Sequence, residues 1–168
     1  MPVIVNKVGG HRNEDALGRV IYYMMSSAFF RLGDCRGVWT YSAPDIIGGF
    51  NFIKEIFNKT DGKIVDHVVI GIEQHEGIVE GDLIEIAEAA LDYFYSGGYQ
   101  CCFAIHKGSR ETPNYLHAHI AVNTVNFMTG CRLYETFAAT SGLKHYLMGR
   151  FDLYKWSSVN DNSPYWET

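Results

Sequence analysis

Residues 99–106, Tyr-Gln-Cys-Cys-Phe-Ala-Ile-His, and residues 116–125, Leu-His-Ala-His-Ile-Ala-Val-Asn-Thr-Val, are two strand-like runs joined by the polar loop 107–115, which contains Pro113. The loop is long enough to bring the second run back antiparallel to the first. Side chains alternate along a strand, so His117, His119 and Asn123 share one face of the second run. Leu116, Ala118, Ile120 and Val122 take the other face, which is apolar throughout and is therefore the core side. His106 closes the first run, so the hairpin brings three imidazoles toward one patch. Neutral imidazole is the commonest protein metal ligand, and three of them leave coordination positions open for a substrate oxygen. The pattern predicts a metal site at His106, His117 and His119.

Working outward from the hairpin, residues 82–96 predict a helix. Asp82 with Glu85 makes a capping-box-like start, Leu83, Ile86, Ala87, Ala90, Leu91 and Phe94 form an apolar stripe, and Gly97-Gly98 ends it. Residues 64–73, Ile-Val-Asp-His-Val-Val-Ile-Gly-Ile-Glu, predict a β-branched strand. Residues 13–28 predict a helix, with Leu17, Val20, Ile21, Met24 and Ala28 at helical spacing. Residues 31–48 carry Gly, Asp and Pro and read as loop, followed by a short helix over 50–58. A last helix is expected around 132–150, with a loose polar end beyond 157. Mixed helices and antiparallel strands of this kind form an α+β architecture, a central antiparallel β-sheet with helices packed mainly on one face.

The composition, 168 residues with 47% hydrophobic and 20% charged, is that of one globular domain spanning 1–168. A chain of this length removes roughly 70% of its unfolded surface from water. No apolar run approaches the ~18–20 residues needed to span a bilayer, which argues against membrane insertion. The N-terminus lacks the pattern of a signal peptide, and four cysteines do not make a disulfide framework, so a cytoplasmic location is expected. The net charge of −5 weakens the case for a general nucleic-acid binder, but it is unevenly spread. Residues 61–100 hold 9 acidic side chains against 1 basic, whereas residues 1–60 hold 7 basic against 5 acidic and residues 101–155 hold 6 against 3. The acidity therefore sits mostly in one segment that reads as a solvated helix and its approach.

The run from His106 through His117-Ala-His119-Ile-Ala-Val-Asn123 resembles the three-histidine motif of plasmid relaxases, the mobilisation nucleases of the HUH endonuclease group. Three weaker stretches occur in the family's order. Asp15 to Met25 resembles an N-terminal helix with the catalytic tyrosine, Gly48-Gly-Phe-Asn51 a Gly-Asn element, and His67-Val-Val-Ile-Gly71 a strand beginning with His. The likeness covers about residues 13–130. The chain departs from the family in placing Gly71 where a Ser is usual, which takes a hydrogen bond away from that position, and in a longer loop between His106 and His117.

The resemblance implies an HUH relaxase-like fold and a metal-dependent, site- and strand-specific nick in single-stranded transfer-origin DNA for conjugative mobilisation. A tyrosine attacks the scissile phosphate and leaves a covalent 5′-phosphotyrosine. Helical periodicity places Tyr22 and Tyr23 on opposite flanks and does not choose between them; the family's spacing from Leu17 points to Tyr23, with Tyr22 the alternative. Glu73 is the carboxylate expected to orient a histidine, and His67 and Asn123 are expected around the ligands rather than among them. Arg12, Arg19, Lys107 and Arg110 are candidates for the DNA backbone, and Tyr22, Trp39 or Tyr115 for base stacking. The family implies one divalent ion, Mg or Mn, whereas three imidazoles also suit Zn or Ni. Accessory mobilisation proteins and a type IV secretion coupling protein are the implied partners besides DNA. Two further readings share the histidines: a related HUH replication or transposition nuclease, whose tyrosine usually follows the motif, and a decayed relaxase domain that binds single-stranded DNA without cutting.

Overall fold

The computed structural model describes residues 2–11, 14–72, 80–108, 115–133, 137–151 and 155–157. In chain order the elements are β1 (Pro2–His11), α1 (Ala16–Ser26), β2 (Phe30–Arg36), α2 (Ala43–Ile56), β3 (Val65–Ile72), α3 (Glu80–Ser96), β4 (Cys101–Lys107), β5 (Leu116–Asn123), α4 (Phe137–Arg150) and β6 (Lys155–Ser157). The strands form one six-stranded sheet in the order β2-β4-β5-β3-β1-β6. Every neighbouring pair is antiparallel except β1 with β6 at the edge. The architecture is α+β with a central antiparallel sheet, as the sequence predicts.

Helices cover both faces of that sheet, not mainly one. On one face α3 sets Leu83, Ile86, Ala87, Ala90, Leu91 and Phe94 against Val68, Ile70, Phe103, Ile105, Ala118 and Ile120, with Leu143 and Leu147 of α4 in the same cluster. On the other, Leu17, Ile21 and Met24 of α1 and Ile46 and Phe50 of α2 pack with Val65, Cys102, Ala104 and Ala121. The apolar stripe of α1 needs a surface to bury, and the sheet face that carries the histidines is the one available. His106, His117 and His119 are consequently buried on the face that α1 covers, at 1%, 6% and 3% exposure.

Two predicted boundaries are corrected in residues 31–48. Phe30–Arg36 form β2, paired with β4, although the segment lacks β-branched residues and holds Gly33 and Asp34. Gly33 is required there: a β-carbon would lie 1.9 Å from Tyr41 Oη, whose hydroxyl donates to the Phe103 carbonyl at 2.8 Å. The helix expected from 50 begins at Ala43, because Ser42 caps it by accepting from the Asp45 amide and Pro44 sits in the first turn, where no N–H is needed. Pro2–His11, to which the sequence reading assigns no element, forms β1. Helix α3 starts at Glu80, so Asp82 lies in its first turn rather than capping it. Helix α4 starts at Phe137, later than expected.

A buried polar network ties α2 to the sheet. Lys54, 2% exposed, donates from Nζ to Asn123 Oδ1 at 2.6 Å. Asn123 Nδ2 in turn donates to Gln100 Oε1 at 2.8 Å and to the Phe50 carbonyl at 3.1 Å. Burial, with the Arg132 charge adding to it, pushes the Lys54 ammonium from 10.5 down to about 7. Between those values the unfolded chain binds more protons than the folded one, so this group's contribution to stability rises with pH. Urea unfolding of wild type and Lys54→Met at about pH 7 and about pH 9 should show the difference moving in favour of wild type, by at most about 1.4 kcal/mol per pH unit. A difference that does not move with pH would mean that Lys54 keeps its proton in the fold.

Candidate metal and nuclease site

The register of the sheet assembles the three histidines. His106 lies directly opposite His117, Ala104 opposite His119, and on the far side of β5 Gly71 lies opposite His117 and Val69 opposite His119. One ligand atom from each of His106, His117 and His119 can be chosen so that all lie within 4.8 Å of one another. The ring centroids are 4.5 Å apart for His106 and His119, 4.8 Å for His117 and His119, and 5.5 Å for His106 and His117.

Two of the rings have a close partner that orients them. His106 Nε2 donates to the Met24 carbonyl at the end of α1 (2.7 Å), which leaves Nδ1 with its lone pair. His119 Nδ1 faces His67 Nε2 at 2.9 Å, since His67 is the diagonal neighbour of His119 across the β3–β5 ladder. His119 Nε2 is buried with no hydrogen-bond partner among the described residues. His117 Nδ1 reaches the Tyr115 carbonyl only at 3.4 Å. Burial is the first cause of a lowered proton affinity at all three. His117 falls to about 4, helped by the neighbouring His106, and His119 falls well below its ordinary value, with His67, His117 and His106 adding to the effect. His106 is lowered too, partly offset by its bond to the Met24 carbonyl. The rings are neutral near pH 7, so ligand lone pairs face no competition from protons. Three neutral imidazoles, one with an orphaned buried nitrogen, fit a borderline transition-metal cation.

Tyr23 packs against this cluster. Its ring centroid lies 5.3 Å from that of His119, edge to face, and 5.8 Å from that of His106. Burial raises its phenol above the ordinary value. Tyr22, on the other flank of α1, is 52% exposed. The helix is set by its buried residues Leu17, Val20, Ile21 and Met24, and that rotation turns Tyr23 toward the histidines.

The other residues singled out by sequence divide as follows. His67 is brought to His119. Asn123 shares the histidine face but lies four residues beyond His119, roughly 13 Å along the strand, where Lys54 and Gln100 engage it; the expectation that it sits around the ligands is corrected. Arg19 is exposed and paired with Asp15 at 3.0 Å. Lys107 is exposed at the end of β4. Trp39 is 93% exposed. Tyr115 stacks on His117. Glu73, Arg12 and Arg110 lie outside the described residues. The Met24 carbonyl and Tyr115 escaped the sequence reading as supports of the site, because a backbone oxygen leaves no residue-type signal and an aromatic beside a motif has many uses.

No helix among the described residues is long and apolar enough to cross a membrane. Among the curated proteins and the solved structures, none matches this chain. The family model described as relaxase, MobA/VirD2-like, nuclease domain matches residues 31–145, which takes in the histidine hairpin and leaves α1 with its tyrosines upstream. That match covers more than half of the chain, from β2 into α4: the chain belongs to the MobA/VirD2-like relaxase nuclease family.

Proposed function

We propose that this chain nicks single-stranded DNA at a transfer origin through Tyr23, as one nuclease domain of a mobilisation system. The observation that carries the reading is the Tyr23 ring packed against His106 and His119 of a buried three-histidine cluster. His106, His117 and His119 would hold one divalent cation, Mg or Mn by family, with Zn or Ni suited to the imidazole set. Such a cation supplies Lewis-acid polarisation of a phosphate oxygen. The protein's own part is positioning. Met24 and His67 hold two of the imidazoles in place, and the apolar stripe of α1 holds the phenol beside them. The Tyr23 oxygen attacks phosphorus and loses its proton. The bond from phosphorus to the 3′-oxygen breaks, that oxygen takes up a proton, and a 5′-phosphotyrosine remains. Because a phosphodiester is exchanged for a phosphodiester, the same site can rejoin the ends.

Arg19 and Lys107, with Arg12 and Arg110, are proposed to contact the DNA backbone, and Glu73 to support a histidine. Accessory mobilisation proteins and a secretion coupling protein are the proposed partners. The test is incubation with single-stranded DNA from the origin flanking the gene, with Mn or Mg, followed by denaturing electrophoresis. A protein–DNA adduct together with a free 3′-OH fragment is expected. DNA that is bound but never linked on its own origin sequence would replace this reading with that of a non-cutting binder.

A further inference from the structure

The three imidazoles are not held equally well. His106 has a 2.7 Å bond to the Met24 carbonyl and His119 a 2.9 Å contact with His67, but the bond of His117 to the Tyr115 carbonyl is 3.4 Å. A hydrogen bond that long fixes a ring poorly. What lies against His117 instead is the Tyr115 phenol, near-parallel at 19° with centroids 5.0 Å apart. Tyr115 lies just before β5, two residues ahead of His117, and its phenol leans sideways to overlap the imidazole.

Gly71 is the space it leans into. Gly71 pairs directly with His117 across the ladder. A β-carbon there would lie 1.6 Å from Tyr115 Oη and 2.6 Å from Cζ. Any other residue at position 71 would therefore displace the phenol, and with it the ring that flanks His117. The position read from sequence as a lost hydroxyl is thus a built recess.

The geometry points to Tyr115 as the positioning residue of His117, seated in the Gly71 recess and setting the orientation of the third imidazole for its metal. This rests on the reading of the triad as a cation site, and deepens it. The ring does the positioning through its face, so Tyr115→Phe, which keeps the ring, should retain far more of the Mn affinity than Tyr115→Leu. Tyr115→Leu and Gly71→Ala should each lower Mn affinity about 10- to 100-fold, the cost of losing a group that orients a ligand. The two substitutions should not add: Gly71→Ala on the Tyr115→Leu background has no phenol left to displace.

Two measurements test it. In metal-free protein, the NMR resonances of the His117 ring protons, which sense the near-parallel phenol, should shift in Tyr115→Leu and in Gly71→Ala alike, and much less in Tyr115→Phe. Calorimetry with Mn then measures the four affinities of the cycle. If Gly71→Ala unfolds the chain, recovery in the Gly71→Ala, Tyr115→Leu double variant shows the same coupling. Additive losses, or Gly71→Ala with wild-type affinity and an unmoved resonance, would overturn the inference while leaving the triad reading in place. A wild type that binds no Mn overturns both.

Discussion

In Tyr23→Phe protein, the adduct that wild type forms with its origin DNA should fall by a factor on the order of 10³ or more, while single-stranded DNA binding stays close to unchanged. The substitution keeps the ring that packs 5.3 Å from His119 and 5.8 Å from His106, and removes only the attacking oxygen. Loss of ground-state binding is therefore not the expected cause. Burial holds the phenol above its ordinary proton affinity, so Tyr23 is a weak nucleophile unless positive charge stands beside it. That makes omission of the divalent ion a second route to the same loss. Tyr22→Phe should retain the activity, since Tyr22 points to solvent on the opposite flank of α1. If Tyr22→Phe is the dead variant, the tyrosine assignment moves by one residue. If both variants form adduct, the nucleophile lies outside this helix.

Replacing His117 and His119 together with Ala should abolish divalent-ion binding, measured by calorimetry with Mn and Ni, where wild type shows about one site. Two of three imidazoles are then gone. His119 is the more consequential of the two, because its Nε2 is buried with no partner among the described residues and a cation is what would satisfy it. His67→Ala should be milder, about 10- to 100-fold in affinity, because it removes an orienting contact on Nδ1 of His119 and leaves the ligand. The affinity should fall off at lower pH than for a site of exposed imidazoles, since burial lowers the proton affinity of all three rings, that of His117 to about 4. Unchanged binding in the double variant would remove the metal reading.

The likeness to relaxases was legible because the histidine motif lies in a hairpin. Alternation along β5 and a return through one loop place His106 opposite His117 without knowledge of any other element. The helix α3 was legible for a similar reason: six apolar residues at helical spacing between acidic start and paired glycines require one buried face. Strand β2 was not, because its glycine and aspartate read as turn chemistry; only the Tyr41 hydroxyl arriving from 8 residues along the chain shows what Gly33 is for.

By itself the sequence determined what local periodicity and composition can carry: an α+β chain, the three imidazoles on one face of a hairpin, and two tyrosines on opposite flanks of a helix. The tertiary structure decided which face of the sheet each helix covers. That choice brought Tyr23 rather than Tyr22 to the histidines, put His67 against His119, drew Asn123 away to Lys54, and seated Tyr115 over Gly71. Each of these is a contact between residues distant in the chain or on neighbouring strands. They follow from which apolar surfaces bury one another and in what strand register, and neither is written in the spacing of any single segment.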